Sequence, residues 1–169
     1  MKLVNLLEQK KSQIVARWIT LLFDSYPPET AVFLKKEKDK FDNPIGYGIS
    51  RGLTGLFETL VQEMETEQIL AALDEIIRIR ALQNCYPSQA LAFIFLLKNV
   101  VREELAEELE KQDLTEELQE LDSRIDGLSL LGFDVYTRRR EKLQDMRINE
   151  VKNRVSGLMR KSGISIDSL

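Results

Sequence analysis

Apolar residues in this chain recur every three or four positions between proline breaks, and that spacing restricts the fold to packed helices. Leu3, Leu6, Leu7, Ile14, Trp18, Leu21 and Leu22 form the first series. It ends at Tyr26-Pro27-Pro28, because a proline pushes the residue before it out of helical backbone. Pro28 suits the first turn of a second helix, which carries Ala31, Val32, Phe33 and Leu34 to about Phe41. Asp42-Asn43-Pro44 closes it. A third helix is expected from Ile45 to about Glu65. A fourth, capped by Thr66, runs through Ile69, Leu73, Ile76, Ile77 and Ile79. Pro87-Ser88 opens a fifth, with Ser88 as cap. Its start, from Ala90 to Leu97, is apolar almost all round and so belongs at the centre of the body. After a turn at Asp113 to Thr115, a sixth helix carries Leu118, Leu121, Ile125 and Leu128. Bends are expected at Gly127 and Gly132, and helical pattern resumes to about Lys161. No stretch alternates as a strand would. The reading is all-α, with five to six main helices and a long C-terminal one.

The 169 residues fit one domain, and 43% of them are apolar, enough for a sizeable core. The one cysteine, Cys85, cannot form an internal disulfide, which points to a reducing, cytoplasmic setting. The first residues lack a secretory pattern, and no apolar run reaches the ~18–20 residues of a membrane span. The chain contains no histidine. That removes the usual general base near neutral pH, Ser-His-Asp and Cys-His catalysis, and a proximal haem ligand. The expectation is a protein that is not an enzyme and holds no cofactor or metal.

Charge divides the chain in two. Residues 1–137 hold 15 basic and 24 acidic side chains, whereas residues 138–161 hold nine basic and three acidic. An acidic body therefore carries a basic helical extension, with the boundary placed between residues 135 and 136. In the extension, Ile148, Val151, Val155 and Leu158 fall at 3-4-3 spacing, an apolar seam about two heptads long. Together with Arg138, Arg139 and Arg140 they are the candidate contacts for a second copy or another protein. Attachment to an anionic membrane surface ranks second. Nucleic acid is not expected, since the whole chain is acidic and no aromatic residue interleaves the basic cluster.

Gly48, Gly52 and Gly55 share one helix face, which suits a close helix crossing better than a phosphate cradle, as no Gly-Lys-Ser/Thr follows. Arg80 lies on the apolar face of Leu73, Ile76 and Ile77. A buried guanidinium calls for a carboxylate, and Glu37, Asp39 and Asp42 are the candidates; breaking such a pair would make a switch. Lys98 is the one charge in the early turns of the fifth helix. It either greets an acidic ligand in a pocket or lays its stem on the core and reaches water. Cys85 reads as a small buried apolar residue. Ten acids between residues 103 and 122 cover every face of their helices and read as solvated surface.

Several short runs together carry a resemblance: Trp18; Tyr26-Pro27; Phe33-Leu34; Glu37-Lys38-Asp39-Lys40-Phe41; Asn43-Pro44-Ile45-Gly46; Ile79-Arg80-Ala81-Leu82-Gln83; Pro87-Ser88-Gln89-Ala90-Leu91; and Leu97-Lys98. In order and spacing they resemble the RsbRD N-terminal domain family, the input domain of RsbT co-antagonist proteins of the stressosome, over roughly residues 10–135. The resemblance implies a globin-like helical fold without haem over residues 1–135, a role in sensing or protein interaction, and a homodimer. It implies a protein partner in a signalling or a respiratory complex. It also implies an alternative, a sensor holding a small apolar ligand such as a fatty acid where haem would sit. Where those architectures continue into a phosphorylatable regulatory domain or a kinase, this sequence has only the basic helical segment, 136–169.

Overall fold

A computed structural model describes residues 2–36, 39–62, 65–83 and 85–162. Among these the chain is all α-helical, in the order α1 (Lys2–Gln9), α2 (Lys11–Asp24), α3 (Pro28–Lys36), α4 (Pro44–Val61), α5 (Thr66–Leu82), α6 (Pro87–Glu104), α7 (Ala106–Lys111) and α8 (Thr115–Lys161). Five are long and three are short. The first apolar series is split by a single residue, Lys10. Its ammonium is drawn to the end of α6, donating to the Glu104 carbonyl at 2.6 Å and pairing with Glu108 at 2.9 Å.

Helix α6 lies at the centre. Ala90, Leu91, Phe93, Ile94, Leu97, Val100 and Val101 are all buried, although Phe95 faces solvent. It packs on α2 through Trp18, whose indole N–H donates to the Phe93 carbonyl at 2.6 Å. That bond satisfies the one polar atom of a fully buried ring. Helices α4 and α5 cross where the glycines lie. A Cβ on Gly52 would stand 2.5 Å from Ile76 Cγ1, and one on Gly48 would stand 3.2 Å from Ile79 Cδ1. Close approach is what those glycines provide.

Helix starts differ from the sequence reading in two places. Thr66 is inside α5 rather than its cap; Gln68 reaches back to accept from the Glu65 backbone N–H at 3.2 Å. Ser88 lies in the first turn of α6, where Gln89 accepts from the Tyr86 N–H at 3.0 Å. In both, the residue just ahead of the turn already has extended backbone, and a glutamine three positions on satisfies its donor. The cap of α4 is Asn43, which is buried. Its Oδ1 accepts from Gly46 N at 2.8 Å, and its Nδ2 donates to the Leu34 carbonyl, joining α3 to α4.

Helix α8 runs 47 residues without interruption at Gly127 or Gly132. Its first half seals the body with Leu121, Ile125, Leu128, Val135 and Tyr136, all buried. Gly132 serves packing: a Cβ there would stand 2.9 Å from Ile94 Cδ1. Contact with the body continues past residue 136 to Leu143, and every residue from Gln144 to Val155 is exposed.

Candidate functional site

Arg80, Tyr26 and Gln83 form a polar cluster in the body. Arg80 is 5% exposed. Its Nη2 donates to the Gln89 carbonyl at 2.8 Å, its Nη1 to Gln83 Oε1 at 3.1 Å and its Nε to the Ala90 carbonyl at 3.5 Å. The Tyr26 ring lies 4.9 Å from the guanidinium carbon, and the Tyr26 hydroxyl accepts from Gln83 Nε2 at 2.9 Å. The expected carboxylate partner is therefore corrected. Asp39 and Asp42 are exposed and unpaired with Arg80, Glu37 lies outside the described residues, and among the described residues the partners are carbonyls and a ring. The reason is local. The first turn of α6 presents the Gln89 and Ala90 carbonyls to a guanidinium coming from the end of α5, and the aromatic face completes the cation's surroundings. A cleft of about 550 Å³ opens on this cluster, lined also by Ser25, Thr30 and Cys85. Cys85 is partly buried, packed at the edge of the core.

Lys98 sits on the outer side of α6 and pairs with Asp126 of α8 at 2.7 Å; one turn on, Arg102 pairs with Asp122 at 2.5 Å. Both pairs bolt α6 to α8 at the surface. Further along the same two helices lie Phe95 of α6 and Leu130 and Phe133 of α8. These three large apolar side chains are exposed by 49%, 74% and 54%.

The arginines at the start of the basic segment have different fates. Arg138 is exposed and donates to the Asp134 carbonyl of its own helix. Arg139 makes a two-pronged pair with Asp74 of α5, Nε to Oδ1 at 2.6 Å, a hydrogen bond that raises the guanidinium above its ordinary pKa. Arg140 donates to the Ala81 carbonyl at the end of α5 at 3.1 Å. Two of the three are thus engaged in holding α8 to the body. Beyond them, Ile148, Val151, Val155 and Leu158 are 51%, 59%, 47% and 66% exposed, a seam that nothing in the described body covers.

A second cleft, of about 460 Å³, lies between α2, α3 and α4, lined by Ile19, Phe23, Leu34 and Tyr47 with Lys35 at its edge. Lys35 is paired with Asp24. Among the described residues no three or more of His, Cys, Asp or Glu come together to hold a metal ion. Among the same described residues no helix is long and apolar enough to cross a membrane.

Asn43 and the Gln83–Tyr26 pair escaped the sequence reading. Asn43 carried a usable signal, an asparagine directly before a proline at a helix start. Gln83 and Tyr26 carried none, being 57 positions apart.

The fold is that of a small all-α domain with open clefts beside its core and several large apolar side chains in solvent. The chain belongs to the RsbT co-antagonist protein rsbRD N-terminal domain family, whose model matches residues 12–151. This is a family of regulatory signalling input domains. The match extends through the first part of the basic segment. No curated protein and no solved structure matches the chain.

Proposed function

We propose that this protein is a non-catalytic, cytoplasmic regulatory module that forms a homodimer through its body and docks a protein partner through the end of α8. The observation that carries this is where the exposed large apolar side chains lie: Phe95, Leu130 and Phe133 on the α6–α8 face, and Ile148, Val151, Val155 and Leu158 on the extension. Membership in an input-domain family supports the regulatory part. The globin-like, haem-free character implied by the resemblance belongs to this proposal too. Such a module passes a signal as a change in contact, since it lacks imidazole chemistry.

Sedimentation velocity tests the dimer. The chain, 19.5 kDa as a monomer, should sediment at twice that mass. Leu130→Glu with Phe133→Glu should return it to monomer with its helicity unchanged. A wild-type monomer at tens of micromolar sinks the claim.

The cleft between α2, α3 and α4 favours a second reading, a sensor for a small apolar acid. Its size falls within the range of ligand sites and its walls are mainly apolar. Native mass spectrometry with added palmitate checks this; a spectrum of unliganded protein alone removes it.

A further inference from the structure

The exposed seam of α8 has heptad geometry, so the residues beside it determine what it can pair with. With Ile148 and Val155 at a, and Val151 and Leu158 at d, the flanking g positions are Arg147, Arg154 and Lys161, and the e positions are Lys152 and Met159. Four of these five flanks are cationic and none is anionic. Arg154 shares a surface pair with Glu150 one turn earlier on its own helix. Arg147, Lys152 and Lys161 have no acidic partner among the described residues.

Two copies of this stretch would repel in either direction. In a parallel pair, g of one helix meets e of the next heptad on the other, so Arg147 meets Lys152 twice over. In an antiparallel pair, g meets g and e meets e, again cation against cation. Flanking charges of one sign exclude self-pairing and select a partner of the other sign. A membrane-surface helix would show a wider apolar face, with aromatic or leucine-rich residues. Here the seam is one a/d stripe of four aliphatic residues, and the cations border it on both sides.

We propose that residues 147–161 are a docking helix for an amphipathic helix of another protein, one that carries glutamate or aspartate at its own e and g positions. Self-association of the body and docking by the extension are then separate events on separate surfaces. This rests on the docking half of the function proposed above and is independent of the dimer, which sedimentation reads by itself.

The test uses the full chain and two labelled helical peptides of 28 residues. Both carry Ile at a and Leu at d; one has Glu at every e and g, the other Lys. In fluorescence anisotropy the glutamate peptide should bind at least about tenfold tighter than the lysine peptide, and its binding should weaken as salt rises. Val151→Asp with Val155→Asp should abolish binding without changing the melting of the body, because both positions are exposed. Arg147→Glu, Lys152→Glu and Arg154→Glu together should reverse the preference. Lys152→Glu alone should create a parallel self-pairing absent from the wild type, seen as a higher mass in sedimentation. The proposal is overturned if neither peptide binds, if both bind equally, or if vesicles of phosphatidylglycerol and phosphatidylcholine capture the chain through the seam while the glutamate peptide does not.

Discussion

Two stretches of α8 have the same apolar spacing and opposite surroundings. Leu121, Ile125, Leu128 and Val135 are buried against the body, whereas Ile148, Val151, Val155 and Leu158 stand in solvent. Periodicity tells which face of a helix is apolar. It does not tell whether the same chain supplies the cover. What separates the two stretches is the charge beside the stripe: acids near the first meet Lys98 and Arg102 of α6, while the cations beside the second have no counterpart in the body.

The largest expected contrast is in truncation. Ile125→Ala should destabilise the body by about 2–5 kcal/mol, the range for emptying a buried aliphatic site. Val155→Ala should alter it by less than about 0.5 kcal/mol, as at other exposed positions. Urea unfolding followed by circular dichroism measures both, and equal losses would mean the extension folds back onto the body. A smaller contrast comes from the two glycines. Gly132→Ala places a methyl against Ile94, Ile77 and Leu91, and should cost about 1–2 kcal/mol after its helical gain. Gly157→Ala meets nothing within 4 Å and should raise the helicity of the extension, a gain of up to about 1 kcal/mol in local helix stability.

The smallest contrast is in acid. Glu108 lies below the ordinary carboxylate range, chiefly because Lys10 donates to it, and Asp113 does so chiefly through the Thr115 side chain and then its backbone N–H. A lowered carboxyl contributes stability that is present above its unfolded pKa and is lost as pH falls through its folded one. Below about pH 4 the α6–α7–α8 corner should therefore loosen first. Carboxyl chemical shifts followed by NMR during an acid titration check this; ordinary titration of both groups would remove it.

Much of the body was legible because its signals are local. Prolines 27, 28, 44 and 87 mark helix starts or breaks, and the Gly48–Gly52–Gly55 face does meet α5. Arg80 was placed correctly on a buried face, but its partners were not. A sequence displays side chains, and the groups that hold this guanidinium are mostly main-chain carbonyls, which every residue has and none advertises. The roles of Arg139 and Arg140 were hidden for a related reason. In sequence they are indistinguishable from Arg138, and only the phase of α8 against α5 turns them toward Asp74 and the Ala81 carbonyl. That Phe95, Leu130 and Phe133 stand in solvent depends on which faces of α6 and α8 the rest of the body covers, which no spacing within either helix reveals.

Trp18 is the only tryptophan and is wholly shielded, with its N–H held by the Phe93 carbonyl. The protein thus carries its own optical reporter, fixed at the α2–α6 joint. Emission should start at short wavelength and redden when that joint opens, yet stay dark to anything that touches the far end of α8. Light from one ring therefore separates events in the body from events on the arm without any added dye.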